Sequence, residues 1–495
     1  MTKCRRLLLL NRTDPPAIRN RLLSAALCLA LGACSLGPDF LRPHTAIPLV
    51  YKQVTPDAPL WPGKDWWRGF NSADLDHLIA DAEAGNFDIQ AAIARIRQAD
   101  AQLRISGAPL LPTVSASASQ QYNRQSSRTS SLSRSRGPIE TRTSSVDVSI
   151  SYELDLWGRV AAVRDSAEAS ALFSRYDQQT VALTAVTSVA TTWFSALAFQ
   201  DRLAVAQRNL NDSEQILKAI QARVDAGTAS ELDLAQQGAL VAGIRANIPA
   251  LRSNAQLQLN ALGVLTGKLP EDIRVDPGTL DTLSLPEVTP GLPAELLLRR
   301  PDIASAEASL RAANANLREA RAAFYPQITL TGSNGFTSTA LSSLIGPGSM
   351  LTNAAVSVAQ TLFDNGAKSG QYDLNAAKYD ELVADYRRAV TQAFTDVENA
   401  LTQYRFATEQ ETLERQAVAV AQRASDIARA QLLAGTSDIV TALQAQSTLF
   451  SDLDQLAQVR LSRFQALVSL YKALGGGWVI TDTPAPERRL FRGVL

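Results

Sequence analysis

The sequence predicts a mixed α+β membrane protein built from a duplicated unit of two β-strands and a long α-helical hairpin. Three observations predict it. Nearly seventy residues between Gly158 and Gly227 contain neither Pro nor Gly. Val146 to Leu154 alternates apolar and polar residues without a break. The chain also repeats itself at a spacing a little above two hundred residues, far longer than the unit of a solenoid.

The first 33 residues read as a signal peptide. Lys3, Arg5, Arg6, Arg12, Arg19 and Arg21 precede an apolar run from Leu22 to Leu31, followed by Gly32 and Ala33. That run is too short to span a bilayer as a helix. Cys4 and Cys28 fall inside this segment, so a processed chain keeps Cys34 alone and has no internal disulfide. Beyond residue 34 no stretch reaches the roughly 18 uninterrupted apolar residues of a spanning helix, and a spanning mature chain would have to use strands.

Residues 86–119 align without a gap on 300–333, so that Asp88 meets Asp302 and Pro112 meets Pro326 at a separation of 214 (302 − 88). Farther on, Leu154 and Gly158 meet Leu362 and Gly366, and Ala226-Gly227-Thr228 meets Ala434-Gly435-Thr436, at 208 (434 − 226). The first copy therefore carries six extra residues between its strands (214 − 208), which is expected to be loop variation. The expected organisation is a signal peptide at 1–33, an N-terminal periplasmic segment at 34–85, repeats at 86–270 and 294–475 joined by a linker at 271–293, and a tail at 476–495.

Within each copy the order reads helix, strand, loop, strand, long helix, turn, helix. Val146, Val148, Ile150, Tyr152 and Leu154 alternate with Asp147, Ser149, Ser151 and Glu153, giving one greasy and one wet face. Tyr152 suits a membrane interface. Weaker strands are expected over Thr113–Gln120, around Ile328 and Leu330, and from Val356 and Val358 to Leu362, with 126–144 and the segment holding Gly346-Pro347-Gly348 as loops. Alternation alone also fits a soluble sheet packed on a helix.

A helix filling the stretch from Gly158 to Gly227 would extend about 100 Å, more than a compact domain holds. Leu203, Leu210, Leu217 and Val224 recur by sevens, and Phe394, Val397, Leu401 and Tyr404 by threes and fours. This is coiled-coil packing, and abundant Ala lets helices approach on more than one side. Gly227 and Gly435 suit the left-handed residue that ends a helix, so each copy is a hairpin hung from two strands. Four strands cannot close a barrel, and open edges are not tolerated in lipid, so several chains must combine. Eight strands would fill with side chains and twelve would leave a passage, a choice that strand counting leaves open.

Lys+Arg and Asp+Glu are both 48, which gives no basic face for a polyanion. Only His44 and His77 are present, too few for a histidine metal site, and Met1 and Met350 cannot form a thioether relay. No nucleophile motif, C-x-x-C or P-loop occurs, and neither an enzyme nor a cofactor is expected.

Leu31-Gly32-Ala33-Cys34 resembles the lipobox of bacterial lipoproteins, which implies N-terminal diacylglyceryl and N-acyl lipid on Cys34, and Ser35 resembles those sent to the outer membrane. GPDFLRP after the cysteine, DWWRGF at 65–70, LDLWGR at 154–159, RRPDI at 299–303, FYPQI at 324–328, LFDNG at 362–366 and YKALGGGW at 471–478 resemble the TolC-like outer-membrane factors of the NodT lipoprotein type, over nearly all of 34–480. The resemblance implies a homotrimer whose 12-stranded barrel continues as a helical barrel through the periplasm. It also implies a periplasmic adaptor and an inner-membrane pump as partners, and the role of an efflux exit duct for small toxic compounds or drugs. Metal ions or polypeptides are alternative cargo, and a structural periplasmic coiled-coil lipoprotein is the alternative from another class.

The resemblance places a gate and the adaptor-docking surface at the hairpin turns, here Gly227, Thr228, Gly435 and Thr436. Relatives carry a pattern like LLDAQR beyond the second turn, where this chain has Gln444 and Ser447 in place of the acid and the arginine. The expected constriction combines Val440 and Leu443 packing with Gln444 hydrogen bonding. Under threefold symmetry Glu231, Asp233 and Asp438 would each form a ring of charge. Each acid taken singly better suits a solvated carboxylate at a helix N-terminus.

Overall fold

The computed structural model describes residues 40–48, 50–52, 61–125, 139–275, 278–288, 290 and 293–480. The expected signal peptide and Cys34 lie outside these. The described chain contains α1 (Ala73–Gly85), α2 (Phe87–Gly107), β1 (Thr113–Gln125), β2 (Ile139–Glu153), α3 (Arg159–Asp225) and α4 (Glu231–Thr266). It then repeats the pattern as α5 (Pro301–Ala322), β3 (Gln327–Ser338), β4 (Met350–Ala359), α6 (Ala367–Ala434) and α7 (Ile439–Ala473). Helix, two strands and helical hairpin thus occur twice in the same order, as the internal repeat requires.

Two compact units emerge, one holding 99–171 and 309–383, the other 43–98, 172–308 and the chain from 384 onward. The first is organised by one four-stranded antiparallel sheet in the order β1-β2-β3-β4. The register pairs Val114 with Ile150, Ala116 with Val148 and Ala118 with Val146, and it sets Ile328 against Val358 and Leu330 against Val356. Period-two alternation therefore gathers these side chains on one face.

Three expectations about the strands are corrected. Residues 139–144 belong to β2 rather than to a loop, because they pair with β1 from Ile139 opposite Gln125 to Ser144 opposite Gln120, and Ser144 also meets Ser338 of β3. Leu362 lies past the end of β4 and is exposed. The extra length of the first copy is mainly strand: β1 and β2 have 13 and 15 residues against 12 and 10 in β3 and β4.

The motif residues sit where the chain changes direction. Asp155 accepts hydrogen bonds from the Val160 and Ala161 amides at 3.0 and 2.7 Å, which satisfies free N–H groups at the start of α3. Trp157 donates its indole N–H to the Pro326 carbonyl at 2.7 Å and stacks on Tyr325, tying the end of the first strand pair to the start of the second. Asp364 likewise holds the Lys368 amide at 3.1 Å at the head of α6.

The second unit has its core where α3, α7 and the DWWRGF segment meet. Trp66, Phe70, Trp193, Phe194, Phe464 and Tyr471 are buried together, with Trp66 stacked on Tyr471 at 4.7 Å. This explains the apolar stretch of α3: it meets the length and composition of a membrane span, but Val186 to Ala198 are consumed by this core. Arg300 of RRPDI, 10% exposed, bridges Asp302 and Asp396 at 2.6 and 3.0 Å and donates to the Ala473 carbonyl. A Cβ at Gly475 would collide with the Arg299 carbonyl, so YKALGGGW brings two backbones together there.

Candidate functional site

The two hairpin turns share one construction. Gly227 and Gly435 adopt φ of 74° and 76°. The Thr228 amide reaches the Arg223 carbonyl at 2.8 Å and the Thr436 amide the Gln431 carbonyl at 2.9 Å, while the glycine amides bond to Val224 and Leu432. This double bonding is the Schellman ending. The Arg223 guanidinium donates to the Leu432 carbonyl at 3.1 Å, holding the two turns at one level. Gly227, Thr228, Gly435 and Thr436 are all exposed.

The returning helices are capped differently. Ser230 and Asp233 form a capping box, with Ser230 Oγ accepting from the Asp233 amide at 3.2 Å and Asp233 Oδ2 from the Ser230 amide at 3.1 Å. Asp438 caps α7 by accepting from the Thr441 amide at 2.8 Å and its hydroxyl at 3.0 Å, and these bonds hold its carboxyl below the usual range. Glu231 is exposed in the first turn of α4. Asp233 and Asp438 thus serve as helix caps.

Val440, Gln444 and Ser447, spaced i, i+4, i+7, are exposed on one face of α7. Leu443 is half-buried against a cluster of Ile216, Ile220, Ala428, Leu432, Ile439 and Ala442 that packs α3, α6 and α7 together. The expected constriction residues therefore divide: three look outward and Leu443 supports them from behind.

Sequence reasoning missed a polar layer just beyond that cluster. Gln446, 8% exposed, donates to Asn209 Oδ1 at 3.0 Å and Ser213 Oγ at 2.6 Å, and fully buried Gln237 donates to the Ser213 carbonyl at 2.8 Å. The layer joins α3, α4 and α7. Its signal was available, since Ile439, Ala442 and Gln446 keep the i, i+3, i+7 spacing of a buried stripe. Also missed was Glu411, with a side chain 3% exposed, which takes Arg415, Arg460 and Arg463 at 2.8, 3.3 and 2.9 Å. Burial alone would raise its carboxyl, but hydrogen bonds from Arg463 and Arg415 outweigh that and lower it.

The sheet supplies the other functional surface. Val114, Val146, Val148, Ile150, Val356 and Val358 are exposed by 44% to 70% on one face. The opposite face carries a hydroxyl ladder: Ser115 with Ser149 and Ser119 with Ser145 at 2.8 Å, and Ser117 with Asp147 at 2.7 Å. Apolar residues facing solvent on one side and paired polar residues on the other suit a strand set with lipid outside and water inside. Among the described residues β1 and β4 each have one unpaired edge. No group of three or more metal-ligating side chains occurs among the described residues.

The family described as outer membrane efflux protein matches residues 78–268 and 292–476, most of the chain. The chain belongs to the outer membrane efflux protein family. This outer membrane efflux protein is 36% identical to the pyoverdine export outer membrane protein OpmQ of Pseudomonas aeruginosa, over 91% of its own length and 95% of that protein. It is 33% identical to the toluene efflux pump outer membrane protein TtgC of Pseudomonas putida, over 92% and 96%. Its fold matches the outer-membrane channel OprN at a TM-score of 0.85 and 26% identity, over 90% of this chain and all of the other.

The outer membrane efflux protein is thus an outer-membrane channel of an efflux pump that extends into the periplasm. The expected fold class stands: it is that of trimeric channels whose β-barrel is continued by an α-helical barrel.

Proposed function

We propose that this efflux channel works as a homotrimer that receives cargo passively from a periplasmic adaptor and an inner-membrane pump. The observation that carries the assembly is the sheet itself. Its apolar face is exposed and its two outer strands have unpaired edges, a combination that lipid does not tolerate in one copy. Joining β4 of each copy to β1 of the next would close twelve strands and leave no edge. A trimer that migrates differently before and after heating, and yields a discrete three-chain product on cross-linking, is the expected result. A monomeric product from intact outer membranes would overturn it.

Cargo is assigned to the class of small toxic compounds or drugs. The pyoverdine and toluene systems of the two relatives share this kind of channel, which supports a permissive passage whose selectivity belongs to the pump. A deletion strain should become sensitive to dyes and antibiotics, and unchanged tolerance across such a panel would count against that class.

The tip is assigned two roles. Gly227, Thr228, Gly435 and Thr436 offer the adaptor paired, level, exposed turns. Val440, Gln444 and Ser447 narrow the passage, Leu443 fixes their helix, and the acids Glu231, Asp233 and Asp438 lend negative charge to the entrance. With no arginine at Ser447, closure relies on packing and hydrogen bonding more than on ion pairs. Cys34 is assigned a lipid that aids targeting.

A further inference from the structure

The second unit holds a cavity of about 520 Å³ that the sheet and the hairpin tip leave unexplained. It lies where α3, from Arg175 to Val186, meets the DWWRGF segment and the glycines of YKALGGGW. Its volume falls in the range of about 300–1,000 Å³ usual for small-molecule sites. Val186 and Arg175 stand 41 and 52 residues before Gly227 (227 − 186; 227 − 175), about 60–80 Å of helix from the turn. The cavity is therefore remote from the surface assigned to the adaptor.

Backbone fixes one wall. Gly475, Gly476 and Gly477 adopt φ of 86°, 57° and 80°. A Cβ at Gly476 would collide with the Leu183 side chain, and one at Gly477 with the Gly63 carbonyl. Only glycine lets this segment lie so close to α3. Tyr176 and Trp478, both half-buried, meet edge to face beside it with ring centroids 5.8 Å apart.

The polar groups are few and differ in kind. Trp66, 5% exposed and stacked on Tyr471, lines the cavity, and its indole N–H meets no acceptor. A buried donor in that condition costs stability that an occupant carrying an acceptor restores. Gln178 Oε1 accepts from the Gln179 amide at 2.7 Å, so Gln178 offers donors and Gln179 an acceptor. Lys64 and Arg175 are offset in part by Glu83, which leaves the mouth without a strong pull on a polyanion. Ile96, Ala182 and Val186 add an apolar patch.

These features fit a neutral molecule with a carbonyl acceptor beside a methyl group, a flat C–H face for the aromatic wall, and hydroxyls for the glutamines. An N-acetylated amino sugar has all three. The periplasm into which the channel extends holds a wall built of such sugars. We propose that this cavity binds an N-acetylated amino-sugar unit of the cell-wall glycan, with Trp66 donating to the acetamide carbonyl and the Tyr176–Trp478 wall facing the sugar ring. Such a contact moors the channel to the wall independently of its adaptor. All the lining residues belong to one copy of the chain.

The test is calorimetric titration of the purified full-length channel with chitotriose, three linked N-acetylglucosamines, and with cellotriose, its counterpart without acetamides. Chitotriose is expected to bind at least tenfold more tightly; equal affinity, or no heat from either sugar, would overturn the proposal. Trp66→Phe keeps a stacked ring and removes the N–H, and should weaken chitotriose about tenfold. Unchanged affinity would remove that N–H from recognition. Ala182→Phe fills the cavity without deleting a polar group and should abolish binding, whereas binding that persists would place the sugar elsewhere and overturn the site. Gln178→Ala replaces either variant that fails to fold, and must weaken chitotriose severalfold for the site to stand. Isolated sacculi should retain the channel and release it to chitotriose. Chitotriose binding without retention on sacculi would overturn the wall as the source of the sugar.

Discussion

Glu411 shows how much one carboxylate can organise. Three arginines from two helices converge on it, and Arg460 also reaches Asp281 at 2.8 Å, tying the inter-repeat linker to α6 and α7. Removing one partner of a buried charge set leaves the others uncompensated, at a cost of about 3–5 kcal/mol. Glu411→Gln should therefore lower thermal stability by that order, as read by calorimetry of the purified channel. Because the folded carboxyl is held low, its stabilisation is complete above the unfolded pKa of about 4.3 and is lost as pH falls through the depressed value. The Gln variant should lose that part of the acid dependence, visible as a flatter melting temperature from pH 5 to 3. At the tip, Gln444→Ala should raise the single-channel conductance of the trimer in planar bilayers; an unchanged conductance would remove Gln444 from the constriction. Gln444 was readable by alignment with a motif, whereas Glu411 was not. Arg415 four residues on reads as an ordinary surface pair, whereas the other two partners lie 49 and 52 residues away and nothing local in the sequence marks Glu411 as buried.

Helices and turns were the most legible elements, for physical reasons. A long stretch without Pro or Gly has no means of ending, and α3 runs from Arg159 to Asp225, stopping just short of Gly227. Strand limits were less legible. Thr, Arg and Ser dominate 139–144 and resemble a loop, yet the segment forms strand because β1 pairs with its backbone along the whole length. The family motifs carried another meaning as well: Asp155, Trp157, Arg300 and Gly475 cap, bridge or admit a close backbone, and none lies at the hairpin tip. Gly435→Ala places a Cβ in left-handed backbone and should destabilise the α6–α7 turn by about 1–2 kcal/mol. Hydrogen exchange at the Thr436 amide should accelerate by about tenfold or more.

At the scale of the molecule, lipid and strands contribute differently to residence in the membrane. Acyl chains on Cys34 would tether only the N-terminus to one leaflet, whereas a closed barrel buries whole strands across the bilayer. Cys34→Ser with its leader intact should still yield heat-modifiable oligomers in the outer membrane, and complete loss of membrane association would show that the anchor dominates. The hydroxyl ladder of the sheet carries a consequence for cargo. Ser115, Ser117, Ser119, Ser145 and Ser149 each pair with one another or with Asp147, so a passing molecule drawn to these hydroxyls competes with a partner already in place. Such a surface is non-stick: residence would be short, saturation would arrive only at high flux, and a cell that acquired a new pump could reuse the same exit without altering a single strand.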